Sequence, residues 1–342
     1  MKKESFAVIA VILLTTVSCS KGDNLKTGVD NYNAVTSSRL LTKAYGDKTP
    51  KLTAYIETND VNPLNAGDYC LSDGSACFDI VELFAANLNA SPSDGTPCVY
   101  FNSQLAPIMA SPATYIQPLQ AKGIKVLLSI LPNWDDIGLC TMTASEAYDF
   151  AEILNYIVDE YGLDGIGFDD EYEGNNYTQV ANSYGNIIYY LRSMMGSDKL
   201  ITVFDYGHTG STQIYTNAAN CIDYVYTNFS FWNPYTNCNV PGITKDRYAP
   251  MSVNLSSSYS SVYLYYIQYY ASQVASQNYG AIMTYNLPNK CLLNPLPVLD
   301  AIAAGAWDED VDMDPNVPSG VTAGCRPLPT PTAGVYITHD DI

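Results

Sequence analysis

The chain is short of positive charge. Its 342 residues carry 16 lysines and arginines against 35 aspartates and glutamates, a formal charge of −19. A nucleic-acid partner, whose phosphates would be repelled, is excluded, and the excess acid is read as a solubilising surface. Histidine is scarcer still, with only His208 and His339. No cysteine or histidine spacing has a zinc pattern, and His208 lacks a sequence partner for a serine triad. No dinucleotide glycine fingerprint or phosphate loop follows a candidate strand. Neither a metal nor a cofactor is therefore expected. The N-terminal apolar run, Phe6 to Leu14, is too short to cross a bilayer.

That run follows Met1-Lys2-Lys3 and leads into Thr16-Val17-Ser18-Cys19, the layout of a secretion signal. Small residues directly before Cys19 resemble a bacterial lipobox, which implies cleavage before Cys19 and a lipid on it; a plain soluble secretory signal is the alternative. The expectation is an exported protein with a signal at residues 1–18, anchored to the membrane through lipid on Cys19. Outer membrane, cell surface and periplasmic face remain open. Residues 19–50 are polar without apolar periodicity and suit a tether. Among the remaining cysteines, Cys70 and Cys77 bracket the turn signal Asp73-Gly74, which suits a local disulfide, while the other pairings stay open. After Trp307 the chain turns acidic and then rich in Pro, Thr and Gly. It lacks the glycine and terminal glutamate of a calcium loop, and residues 306–342 read as a solvated, flexible tail.

Between these ends, short β-branched or aromatic runs alternate with helical patterns, the rhythm of a parallel sheet covered by helices. Candidate strands are Leu52–Glu57, Cys98–Asn102, Lys125–Ile130, Gly165–Glu171, Leu200–Tyr206, Ile222–Thr227, Met251–Asn254 and Ala281–Asn286. Candidate helices are Asp79–Asn89, Ala113–Lys122, Ser145–Tyr161, Tyr177–Met195, Val262–Gln277 and Pro297–Ala304. This alternation across residues 51–305 predicts an α/β fold, a (β/α)8 TIM barrel, with reactive side chains at the carboxyl ends of the strands.

The most telling run is Asp164-Gly165-Ile166-Gly167-Phe168-Asp169-Asp170-Glu171-Tyr172. Residues two apart on a strand face the same way, so Asp169 and Glu171 would share a surface roughly 6–7 Å apart. Acids that close repel each other's charge, and one tends to keep its proton near neutral pH. Gly167 faces the same way and weakens a strand interior unless something must approach closely.

This run resembles the strand-four motif Asp-x-x-Asp-x-Asp-x-Glu of glycoside hydrolase family 18, most closely the endo-β-N-acetylglucosaminidases of the endoglycosidase H type. The likeness extends in order through Lys51–Leu64, Phe78–Asn87, Ile116–Ser129, Trp232–Tyr235 and Thr284–Leu287. It implies an enzyme whose substrate, the di-N-acetylchitobiose core of an N-linked glycan, supplies its own nucleophile through the 2-acetamido oxygen. By position, Glu171 would protonate the glycosidic oxygen and then act as base. Asp169 would hold the acetamido N–H and stabilise the oxazolinium. Tyr285 and Asn228 resemble positions near the sugar, while Trp232, Tyr235, Trp134 and Tyr172 lie in loops where rings could stack on glycan. No obligate protein partner is implied. Gly167 departs from the motif, which has there an aspartate that shares a proton with Asp169. This departure keeps a non-catalytic glycan-binding protein on the same fold as an alternative, with a chitinase as another, and suggests that Gly167→Asp would raise turnover.

Overall fold

The computed structural model describes residues 48–133, 137–171, 178–206, 209–227, 230–232 and 238–342. Its strands are β1 (Lys51–Glu57), β2 (Tyr69–Leu71), β3 (Ile80–Ala90), β4 (Pro97–Phe101), β5 (Lys125–Pro132), β6 (Gly165–Asp169), β7 (Leu200–Asp205), β8 (Tyr224–Thr227), β9 (Tyr248–Ala249), β10 (Ser252–Asn254), β11 (Ala281–Tyr285), β12 (Val311–Met313) and β13 (Val335–Ile337). Parallel pairing runs β10-β11-β1-β3-β5-β6-β7-β8-β9. Because β9 and β10 are consecutive in the chain, they act as one seventh barrel strand. Pro250, which has no N–H to give a ladder, stands where that strand is interrupted. The result is a nearly closed parallel barrel.

Strands buried on both faces need apolar residues on both. One set, including Leu52, Ile56, Val126, Leu128, Ile166, Phe168, Ile201 and Val203, packs outward under the helices. A separate set, including Tyr55, Leu127, Leu200, Phe204, Tyr224, Tyr226 and Met283, fills the lumen. The helix Ala144–Glu160 shows how the outer layer is set. Thr143 caps it in a reciprocal box with Glu146, and Ala147, Phe150, Ala151, Leu154 and Val158 turn inward. The helix starts one residue before the expected Ser145, with its cap at Thr143.

Three aspartates recur at the amino-terminal mouth. Asp79, Asp164 and Asp223 each stand one residue before a strand and accept a backbone N–H from the second residue of the preceding barrel strand. The donors are Leu52 at 2.8 Å, Val126 at 3.0 Å and Ile201 at 2.8 Å. Each aspartate is also paired with a cation: Lys48 and Lys51 for Asp79, Lys125 for Asp164, and Arg192 for Asp223. Asp79 is thus a strand staple. Asp164, the first acid of the motif, belongs to the structural end of the barrel rather than to its chemistry.

Several sequence expectations are corrected. Asp79–Asn89 is not a helix but the second barrel strand, β3, whose near-continuous apolar run fits either period. Cys98–Asn102 is not a barrel strand: β4 pairs antiparallel with the far end of β3. Ala113–Lys122 is two short helices, Pro112–Tyr115 and Gln117–Gln120, with Pro118 in the second. Cys70 and Cys77 are both free, since Cys70 sits in β2 with its thiol towards the Asp312 carbonyl. Among the described residues the disulfide is Cys291–Cys325. The region after Ala306 is not a loose tail. β12 pairs with β2, β13 pairs with β4, and Arg326 meets Asp68. Among the described residues no helix is long and apolar enough to cross a membrane.

Asp223 is fully buried and accepts from Ile201 N–H and Arg192. Asp223→Ala would leave Arg192 without its carboxylate and is expected to cost about 3–5 kcal/mol in urea unfolding. Thr143→Ala, which removes only the cap, should cost about 1 kcal/mol.

Candidate active site

The carboxyl end of β6 gathers the acids. Asp169 is the last residue of β6, pairs with Phe204 of β7, and is buried. The strand stops there, so Glu171 lies beyond it and is exposed. Strand alternation therefore does not reach Glu171. The two motif acids differ in environment: one is sealed in the barrel mouth and the other faces water.

Burial raises the Asp169 carboxyl first. The Tyr206 side chain, hydrogen-bonded to it, acts in the opposite sense, and the charges of Glu171, Glu82 and Glu57 raise it further. Together they push it up to about 7. Its Oδ1 is buried and takes no hydrogen bond from a described residue, a costly state for a buried acceptor unless a ligand group completes it. Glu57, at the end of β1, is itself raised by burial and then by the charges of Asp60 and Glu171, which places it in the same acidic mouth.

Below Asp169 lies a residue that sequence reasoning missed. Glu82 of β3 is fully buried in the lumen. It accepts from Ser129 Oγ of β5 at 2.9 Å and from Thr202 Oγ1 of β7 at 2.5 Å. Ser129 and Thr202 are the two residues in register with Gly167, one on each side. The carboxylate therefore lies across Gly167, and a Cβ built on that glycine would overlap Glu82 Oε2. Burial pushes Glu82 up to about 7 against its two hydroxyl hydrogen bonds. Nearby, the phenols of Tyr55 and Tyr226 meet edge to face, Tyr226 is within 3.0 Å of Thr53 Oγ1, and both sense the Glu82 charge. A glutamate alone in the run Ile80-Val81-Glu82-Leu83-Phe84 would have stood out had that run been read as a buried strand.

The other expected residues divide. Tyr285 ends β11 at the mouth, partly buried, with its phenol raised by burial and by Tyr259. Trp232 is exposed and packs its ring against Phe231, Tyr263 and Tyr266, so it joins a tyrosine cluster on the helix Ser261–Ser276. Asp205, at the end of β7, ties loops together by accepting from Ser211 and Asn239. Asn228, Tyr235, Trp134, Tyr172 and Cys19 lie outside the described residues. Removing the Tyr206 hydroxyl takes away a hydrogen bond that lowers Asp169. Tyr206→Phe is therefore expected to move the Asp169 titration to higher pH, read by carbon-13 NMR of labelled aspartate carboxyls.

Comparisons with known proteins bear on this geometry. Residues 70–230 match the model of the endo-β-N-acetylglucosaminidase EndoS TIM-barrel domain. An endo-β-N-acetylglucosaminidase of Flavobacterium sp. is 36% identical over 251 residues, covering 70% of this chain and 76% of that one. Endo-β-N-acetylglucosaminidase F1 of Elizabethkingia meningoseptica is 28% identical, covering 90% and 93%. Crystal structures of Bacteroides thetaiotaomicron EndoBT-3987 superpose at 27% identity. The complex with a Man5GlcNAc product has a TM-score of 0.66, and that with a Man9GlcNAc2Asn substrate 0.67. In the product complex the match covers 79% of this chain but only 63% of EndoBT-3987, so that protein has a further region with no counterpart in the alignment.

Proposed function

The chain belongs to the endo-β-N-acetylglucosaminidases of glycoside hydrolase family 18, and we propose that it hydrolyses the β-1,4 bond of the di-N-acetylchitobiose core of N-linked glycans, as an enzyme of the endoglycosidase H type. The observation that carries this is the split between the two acids: a sealed Asp169 with an unsatisfied Oδ1, and an exposed Glu171 two residues on. The naming of a Man9GlcNAc2Asn substrate for EndoBT-3987 supports a high-mannose glycan.

In this reading Asp169 Oδ1 accepts the acetamido N–H and turns the acetamido oxygen towards the anomeric carbon. Glu171 donates its proton to the glycosidic oxygen. The anomeric C–O bond breaks as the acetamido oxygen bonds to that carbon, giving an oxazolinium whose positive charge faces the Asp169 carboxylate. The inner N-acetylglucosamine leaves on its asparagine. Glu171, now a carboxylate, takes a proton from water as the water oxygen attacks the same carbon. The bond to the acetamido oxygen breaks, and the configuration is retained. Asp169 suits burial because it must hold one N–H without competition from water, whereas Glu171 suits exposure because both its partners come from solvent or substrate. Tyr285 and Asn228 would contact the sugar, and Trp232, Tyr235, Trp134 and Tyr172 would stack on it.

The alternative of a glycan-binding protein without catalysis was motivated by the missing aspartate at Gly167. Glu82 places a carboxylate over that position, which supports the enzyme over the binding module. The reading extends to an exported enzyme held on the membrane by lipid at Cys19.

Incubation with a high-mannose glycoprotein of the ribonuclease B type should leave one N-acetylglucosamine on the protein by mass spectrometry. Glu171→Gln should slow this on the order of 10³-fold; equal inertness of wild type and variant would overturn the reading. Cys19→Ala should move the protein from the membrane to the soluble fraction, read by immunoblot of fractionated cells.

A further inference from the structure

We propose that Glu82 is a positioning residue for this reaction: from β3 it supplies the buried carboxyl that β6 lacks at Gly167, and it shares one proton with Asp169. The inference rests on the proposed function for its catalytic meaning, but its physical basis is independent of it.

Three observations carry it. First, the Glu82 carboxylate occupies the space a side chain at position 167 would take, held by Ser129 and Thr202, the two residues in register with Gly167. Second, Asp169 is two residues further along β6 on the same face, roughly 6–7 Å along the strand, and each of the two acids is buried. The Glu82 charge is among those that raise Asp169, and two like charges buried in one lumen cannot both ionise cheaply, so the pair tends to hold one proton between them. Third, packing does not require an acid here. Leu127 and Leu200 fill neighbouring parts of the same lumen, whereas a buried carboxyl costs desolvation that an apolar side chain would avoid.

The groups acting on the pair come from every side. Tyr55 of β1 and Tyr226 of β8 sense the Glu82 charge, Ser129 and Thr202 donate to it, and Tyr206, Glu57 and Glu171 act on Asp169. With the proton on Glu82, Asp169 is the anion that holds the acetamido N–H; the proton moves only within the pair and none is consumed. The location of the carboxyl has changed strands while its position in the lumen has not. One consequence reverses the expectation from sequence. Gly167→Asp alone would not raise turnover, because the new Cβ would overlap Glu82 Oε2 and lie 2.8 Å from Thr202 Oγ1.

The test uses four variants of the full chain: Glu82→Gln, Glu82→Ala, Gly167→Asp, and Glu82→Ala with Gly167→Asp. Turnover on a high-mannose glycopeptide is read across pH, alongside carbon-13 NMR titration of Asp169. Glu82→Gln keeps the shape, since one hydroxyl can still donate to the amide oxygen while the other turns to accept from the amide NH2. It should retain most of kcat while the Asp169 titration and the acid limb move to lower pH, because a like charge has gone. Glu82→Ala should show the same downward move and lose roughly 10²-fold in kcat with KM little changed. Gly167→Asp alone should fall below wild type. The double variant, with room for the aspartate, should recover most of kcat and return the Asp169 titration upward. The proposal is overturned if the Asp169 titration stays in place in folded Glu82→Gln. It is equally overturned if the folded double variant is no better than Glu82→Ala. Should wild type release no glycan, the proposed function fails, and the Asp169 titration in Glu82→Gln still decides the shared proton.

Discussion

The site depends on a glutamate held in the dry centre of the barrel. Glu82 crosses the lumen from β3 and is fixed by hydroxyls from β5 and β7, one on each side of Gly167 in β6. A single side chain therefore spans four neighbouring strands at the level just beneath Asp169. Burial makes its carboxyl reluctant to ionise, and that reluctance ties its charge state to that of Asp169. The glycine at 167 follows from the same contact, since any side chain there would compete for the space. A motif position that looks vacant along the chain is filled across it.

The rest of the fold keeps this arrangement in register. A lumen packed with Tyr55, Leu127, Phe204 and Tyr226 is separate from the layer under the helices. At the opposite mouth, Asp79, Asp164 and Asp223 clasp the starts of β1, β5 and β7. A one-residue slip between strands would turn every lumen residue outward. These staples oppose such a slip at three places. The division between a stabilising amino-terminal end and a reactive carboxyl end is thus visible in one motif, whose first acid serves the former and whose last two stand at the latter.

Environment also separates two acids that the chain presents as neighbours. Asp169 ends a buried strand and has its proton affinity raised; Glu171 lies past the strand and meets solvent. Residue type alone would assign them similar behaviour, but the strand's end at Asp169 gives them different partners. Tyr206 adds to the setting of Asp169, because its phenol opposes the raising effect of burial there.

The sequence by itself determined the class of fold and the strand that ends at Asp169. Both are written locally, in strand-helix alternation and in a motif of contiguous residues. It also marked Gly167 as the position where something unusual happens. What it could not supply was the identity of the group standing over that glycine. Glu82 is 85 positions away along the chain, in a run whose apolar spacing suits a helix as well as a buried strand. The Cys291–Cys325 bridge and the pairing of β12 and β13 with earlier strands were hidden for the same reason. Only tertiary structure decided these, because contacts between distant segments are set by barrel closure and register. Neither leaves a periodic trace in the residues that make the contact.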